Sequence, residues 1–571
     1  MKQQLLASAA LLLLLFARVA SPQQFTDVTT EAGIDYRQFE TPPRGGFQTY
    51  MSGGASAGDF DGDGWVDLYV TRLDKSDILY RNQGDGTFRD ATDEAFGQNH
   101  LSDVMTNGSG WADIDNDNDL DLYVTSLFSN RYQLFINDGS GTFAEEAIQR
   151  NAAVEGIDQH FGFSVSFGDY DRDGFLDMHT TEWRRVAQNE SGAVQNTRLL
   201  RNLGTDRPGY FEDVTAAAGV LMDSVPTDFS DGDSQSFTSR FEDLDNDGWP
   251  DLAVASDHGT SRLFWNNGDG TFFDGTSTAN VGHDQFGMGS ATGDIDGDGD
   301  LDWFVSSIFE TDKDTHSGNR LYVNNGDRTF DDSNTTIRDG GWGWGSVMFD
   351  VDNDGDLDIA EANGQYFPFV VNPAEGYSSD PLKLWANDGE GNFVEAAADA
   401  GLVDTRNGKG LLTFDYDRDG DLDLFVSNNG DAPVLYRNDS PNDHRWLQVE
   451  TEGTVSNRQG IGTRIEIDPD TNAIGDEQVV VVSGSSNFLS QSHALAHFGL
   501  GSETVDIDLL EVHWPSGITQ TFENVAINRQ ITIRESVPEP TGQTLLLLPI
   551  LFAAHYRHQR RSQCSKRELI P

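Results

Sequence analysis

The sequence predicts an all-β chain in which a seven-bladed β-propeller precedes a small C-terminal β domain. Three observations carry that prediction. The nine-residue pattern D-x-D-x-D-x-x-x-D occurs seven times, with its first Asp at 59, 113, 169, 243, 294, 350 and 415, so the period is 51 to 74 residues. Each copy is trailed by short runs of β-branched and aromatic residues, such as LYVT at 68–71, ILYRN at 78–82 and TFRDAT at 87–92, with Asn- and Gly-rich turns between the later ones. Four short strands per period make one sheet, and a radial array of such sheets is a propeller.

The acidic pattern is the unit around which the repeats are spaced. Its carboxylates are Asp59, Asp61, Asp63 and Asp67; Asp113, Asp115, Asp117 and Asp121; Asp169, Asp171, Asp173 and Asp177; Asp243, Asp245, Asp247 and Asp251; Asp294, Asp296, Asp298 and Asp302; Asp350, Asp352, Asp354 and Asp358; and Asp415, Asp417, Asp419 and Asp423. Four carboxylates in one tight loop repel one another unless a cation sits among them. Hard oxygen donors at this spacing suit Ca²⁺, with the carbonyl of position 7 adding another ligand. Position 6, where such a loop turns sharply, is Gly in six copies (Gly64, Gly174, Gly248, Gly299, Gly355, Gly420) and Asn118 in the other. Both residue types tolerate a left-handed backbone. One such loop reads as a solvated acidic turn; seven in register do not. The prediction is of calcium-binding blade hairpins holding up to seven Ca²⁺.

An EF-hand is the rival reading of D-x-D-x-D-G, and it requires flanking helices and Glu at position 12. Position 12 is Val70, Val124, Thr180, Val254, Val305 and Val426 in six copies, each inside a strand-like run; only Glu361 matches. The EF-hand is rejected.

In chain order, residues 1–22 carry Lys2, an apolar run from Leu5 to Phe16 and small residues at 19–21, the layout of a secretory signal peptide whose apolar core is too short to span a bilayer. Residues 24–440 hold the seven repeats. The seventh has VLYRN at 434–438 and no fourth strand after it, whereas FTDVTTEAGI at 25–34 is an unmatched copy of that strand. The first strand of the chain is therefore expected to complete the last blade, hiding two sheet edges. Residues 441–535 show strand-like runs at 446–451, 462–467, 477–484 and 531–535. The tail, 536–571, contains Pro538-Glu539-Pro540, an apolar run from Leu545 interrupted by Pro549, and a basic cluster at 557–561.

These stretches also carry a resemblance. The wording SxxxGDFDGDGxxDLYVT…LYRNxGDGTFxD resembles FG-GAP/VCBS repeats of integrin α-like propellers, which implies calcium in the blade hairpins. GIGTRIEI, LSQSHALAHFGLG (489–501) and VHWPSG (512–517) resemble the ASPIC/UnbV signature of bacterial and cartilage acidic proteins. The tail resembles the PEP-CTERM sorting signal of Gram-negative bacteria, implying transient contact with a membrane or a processing enzyme.

Bulk properties bound the function. A formal charge of −58 excludes nucleic acid, whose phosphates need basic partners, and otherwise serves solubility. The single cysteine, Cys564, forbids an internal disulfide, so bound metal is the expected brace. No nucleophile elbow, zinc motif or phosphate loop is present. His493 and His497 stand four apart, but no acidic base lies between them and they read as structural. His160, His258, His283 and His316 lie near blade loops without forming a motif. The function predicted is a non-catalytic binding or adhesion module at the cell surface or outside a Gram-negative-type cell, its partner an extracellular protein or polysaccharide. A polysaccharide lyase or hydrolase and a structural envelope protein are the alternatives. The recognition surface is expected on the face away from the acidic loops, across blades 3 to 6. There Glu182–Asn196, Ser307–Asn319, Asn363–Leu382 and Ala216–Phe237 are long and bring Trp183, Tyr366, Phe367, Phe369 and Tyr377.

Overall fold

The computed structural model describes residues 24–41, 46–155, 159–183, 197–222, 235–310, 317–366, 377–389, 391–472 and 475–537. The signal-peptide reading lies outside these residues, and so does the tail reading beyond Val537. In the first blade the strands Ala55–Gly58, Asp67–Val70, Ile78–Asn82 and Phe88–Asp90 pair antiparallel in chain order. Five further blades repeat this, beginning with Met105–Ala112, Gly162–Gly168, Ser236–Glu242, Ser290–Gly293 and Gly343–Phe349. The seventh is built from Gly408–Phe414, Asp423–Asn428 and Val434–Asn438, and Phe25–Asp27 supplies its outer strand with Phe25 opposite Asn438. The expected closure is present. The first strand of blade 1 packs beside that of blade 7, so the ring of sheets has no open end.

Burial follows strand position. The second strands, such as DLYV, are buried on both faces because neighbouring sheets cover each side, whereas outer strands such as FRD bury only their leading Phe. Inner strands are rich in Gly and Ser because their backbones converge on the axis. A Cβ on Gly108 would stand 2.0 Å from the Phe163 carbonyl oxygen, and one on Gly289 2.0 Å from that of Trp344.

The blades are tied together by an asparagine ending each third strand. Asn82, Asn137, Asn202, Asn266, Asn324, Asn387 and Asn438 each donate from Nδ2 to a carbonyl in the acidic loop of the preceding blade, at 2.7–3.1 Å. The acceptors are Tyr416, Phe60, Ile114, Tyr170, Leu244, Ile295 and Val351, each at position 2 of its loop. The sequence shows these Asn plainly in ILYRN, RLFWN and RLYVN, but not that they reach the preceding sheet. Asn324→Ala leaves the Leu244 and Leu301 carbonyls without their donor in a buried site. The expected cost is about 2–4 kcal/mol in denaturant unfolding. Asn325→Ala, whose amide reaches only Thr329 at the surface, is expected to stay within about 0.5 kcal/mol.

The C-terminal region forms two sheets. One holds Trp446–Glu452 between Ala496–Gly499 and Arg529–Arg534; the other orders Gln478–Val481, Arg464–Asp468, Asp506–His513 and Thr519–Ala526. The last two of these strands are not evident in the sequence, and the run expected to continue to 484 leaves its sheet after Val481. Beyond it, residues 483–493 enter the propeller channel. Gln491 exchanges main-chain hydrogen bonds with Ala55 and Ala57, Leu489 O accepts from Ser109 N, Gly484 O from Phe167 N and Asn487 O from Ser346 N. Phe488 and Leu489 at the tip are fully buried among Phe163, Phe237 and Trp344. Both have positive φ, 131° and 55°, a conformation that bulky residues adopt only where surrounding contacts enforce it.

Candidate metal centres under a docked domain

All seven acidic loops fold alike. Positions 4 and 6 both take positive φ, from Gly62 (67°) and Gly64 (87°) in the first loop to Arg418 (61°) and Gly420 (97°) in the last. The sequence points to position 6; position 4, occupied by Gly, Asn or Arg, escapes notice because Arg carries no turn signal. The double bend turns the loop back over its first Asp. Asp59 Oδ2 accepts the Gly64 N–H at 2.7 Å and Oδ1 that of Asp63 at 3.2 Å. The position-9 Asp locks the loop to the blade: Asp67 Oδ2 accepts from Phe60 N and Oδ1 from Asn82 N, at 3.1 and 2.8 Å.

The result is a convergence of oxygens. In the loops starting at Asp59, Asp113, Asp169 and Asp243, the carboxylates of positions 1, 3 and 9 bring oxygens within 4.8 Å of one another. Position 3 keeps one oxygen buried and unpartnered in Asp61, Asp115, Asp171 and Asp417. The other oxygen of Asp61 meets Arg81 Nε at 2.7 Å, and that of Asp115 meets Arg150 at 3.2 Å. Position 5 stands outside the convergence in these four loops; Asp63 accepts the Trp65 N–H and Arg81 instead. Burial pushes the carboxyls up, Asp59 to about 6, Asp113 to about 7, Asp169 to about 8 and Asp67 to about 9, with neighbouring Asp charges adding to the rise. An all-oxygen donor set that is buried and mutually repelling fits a hard cation, and these clusters can hold metal.

The second domain rests on this same face and uses the loops as its seat. Arg458 N donates to Asn116 Oδ1 at 2.9 Å, Arg172 Nε to the Pro515 carbonyl at 2.7 Å, and Arg464 to the Gly299 carbonyl at 2.7 Å. His497 Nε2 lies 2.6 Å from Asn353 Oδ1. The carboxylates of two candidate ligands are approached directly: Gln448 Nε2 donates to Asp415 Oδ2 at 3.0 Å, and Asp350 Oδ2 lies 1.9 Å from where a Cβ on Gly499 would stand. His493 and His497 are not on a helix; His497 lies on the strand Ala496–Gly499, so their spacing does not set them on one helical face.

The other histidines sit apart. His160 is buried between Tyr132 and Glu182, His258 pairs with Asp257, and His283 meets Asp332 at 3.1 Å; His316 lies outside the described residues.

An FG-GAP-like repeat family matches residues 59–124, 113–180, 243–305 and 308–360, and the ASPIC and UnbV family matches 453–540. The chain carries FG-GAP-like repeats joined to an ASPIC and UnbV domain. Among curated relatives, cartilage acidic protein 1 of Homo sapiens is 26% identical over 302 residues, covering 50% of this chain and 41% of the relative. Its Mus musculus counterpart is 24% identical over 484 residues, covering 81% and 61%. The matched regions thus span about four to six tenths of these relatives' length. Similar solved structures include an Agrocybe aegerita lectin recognising non-reducing terminal N-acetylglucosamine (TM-score 0.39, 16% identity, 67% of this chain and 86% of that one). Rhamnogalacturonan lyase YesW is another (TM-score 0.34, 13% identity, 67% and 71%).

Among the described residues, no helix is long and apolar enough to cross a membrane.

Proposed function

We propose that this FG-GAP-repeat protein is an exported, calcium-braced binding module that engages an extracellular protein or polysaccharide without catalysis. The observation that carries the reading is how the molecule's surfaces are used. The acidic-loop face is the seat of the ASPIC and UnbV domain, and the channel is filled by residues 483–493, which leaves the opposite face for a partner. Exposed aromatics stand there: Phe47 is 41% and Tyr366 56% exposed. Much of the long connecting sequence read as a recognition surface, with Phe367 and Phe369, lies outside the described residues, while Trp183 is buried against Phe237. Calcium is the reading for the loops because their donors are carboxylate and carbonyl oxygens gathered in tight turns, the hard donor set that calcium takes. Repetition of one loop in every blade suits a brace better than a catalytic metal, which needs a single site.

The test is a screen on glycan arrays and acidic polysaccharides, scored for retention and for cleavage. The expected result is retention without cleavage, lost on excision of 367–376 while calcium-dependent melting is kept. Cleavage would replace the binding reading with a polysaccharide-active enzyme.

A further inference from the structure

Blade 6 carries a second polar cluster, at the far end of its second strand from the acidic loop. Glu361, in the strand Asp358–Asn363, is wholly buried. One of its oxygens, Oε1, accepts a hydrogen bond from Asn363 Nδ2 at 3.1 Å, and the carboxylate also takes the side-chain amide of Asn319. Its Oε2 has no partner. Neither has Asn363 Oδ1, since the amide turns its nitrogen to Glu361. Neither has Asp380 Oδ2, although the same carboxylate accepts the backbone N–H of Trp342. Gln365, two residues beyond Asn363, is 5% exposed with both amide atoms unpartnered.

These groups crowd one stretch of bare backbone. A Cβ on Gly341 would lie 2.4 Å from Asp380 Oδ2 and 3.4 Å from Asn363 Oδ1; on Gly343, 2.7 Å from both oxygens of Glu361; on Gly340, 2.4 Å from Glu361 Oε1. Among the described residues, no Lys or Arg nitrogen lies within 4.0 Å of either carboxylate. Lys383, the cross-strand neighbour of Glu361, acts on both from further away, and Asp339 adds a negative charge beside Asp380. A wholly buried carboxylate and a half-buried one, each with a buried bare oxygen and no contacting cation, are costly, and native structures rarely leave such groups unmet.

We propose that Glu361, Asp380 and Asn363 form a further cation site, outside the acidic loops, for a hard divalent ion such as Ca²⁺. Two carboxylate oxygens and one amide oxygen are hard donors with no sulfur or nitrogen among them, and a divalent ion balances the two charges. The site stands whether or not the seven loops are filled. Glu361, set aside as an accidental EF-hand match, acquires a role that has nothing to do with the loop preceding it.

The experiment counts ions by native mass spectrometry in calcium and soaks crystals with Tb³⁺. Glu361→Gln keeps the side chain's shape and removes one charge; Asp380→Asn does the same at the less buried group and guards against a folding defect in the first. The wild type is expected to carry one ion more than either variant and to show an anomalous peak beside Glu361 Oε2 that Glu361→Gln lacks. Equal ion counts in all three proteins, with no peak at Glu361, would overturn the site and identify Glu361 as a carboxyl that stays protonated in the fold. A count difference of one holds its meaning at any occupancy of the loops.

Discussion

In excess chelator the protein is expected to melt on the order of 10 °C lower than in excess calcium. Ions that bind only the folded loops add about 1.4–2.7 kcal/mol per site at a tenfold to hundredfold excess over the dissociation constant. Several loops acting together exceed the effect of any ordinary core truncation. The dependence on pH should have opposite signs in the two conditions. Without metal, burial raises Asp59 to about 6, Asp113, Asp243, Asp294 and Asp415 to about 7 and Asp169 to about 8. The folded state then binds more protons than the unfolded chain, whose carboxyls titrate near 4. The chelated protein should therefore have this contribution in full below about pH 4, where the unfolded chain's carboxyls titrate, and lose it progressively as pH rises from there through the folded-state values to about 8. With calcium, ions and protons compete for the same oxygens, so the calcium increment grows over the same window. Melting scans across pH in chelator and in calcium check both statements. Unchanged melting on chelation would remove calcium as a brace.

The propeller truncated after residue 440 is expected to lose native packing, although all seven blades remain. Residues 483–493 meet the inner strands of most blades through main-chain pairs and through Ser164, Ser166, Arg240 and Leu411. Arg240 is 5% exposed and its guanidinium donates to Glu242, Thr292 and the Ser290 carbonyl in the propeller and to Ser483, Ser486 O and Asn487 in the inserted segment; without residues 483–493 it loses the last three. Removal also exposes Phe163, Phe237 and Trp344, which close over Phe488. A single truncation, Phe488→Ala, should cost about 3–5 kcal/mol, the range for a large aromatic in a core that cannot collapse. Near-UV circular dichroism and urea unfolding of both proteins give the measure. A truncated propeller that keeps its near-UV spectrum and melts with the full chain would show that residues 483–493 merely occupy the channel.

Arginine at position 4 shows where reading the chain residue by residue stops. Arg172 and Arg418 hold the left-handed turn that Gly or Asn holds in other loops, because their side chains are engaged across blades. Arg172 lies over Trp249 and bonds Pro515, and Arg418 lies over Trp65. A local preference is overruled by contacts made far away in sequence.

Periodicity alone determined the blade, its acidic loop, the order of its strands and the closure by Phe25–Asp27. Each of these rests on residues adjacent in the chain or on a copy missing from a regular series. Tertiary structure decided the rest. Asn324 is an unremarkable strand end until Leu244, eighty residues earlier, is placed beside it. The segment 483–493 lacks the alternation of a half-buried strand and reads as a polar loop, because its partners are inner-strand backbones and small hydroxyls rather than a complementary apolar face. Glu361 lies in the second strand of blade 6 and Asp380 in the connection that follows it, and only the fold sets both beside the bare backbone of the glycines at 340, 341 and 343. Short-range geometry is written in the spacing of residues; which distant groups share a buried site is set by how the sheets close into a ring.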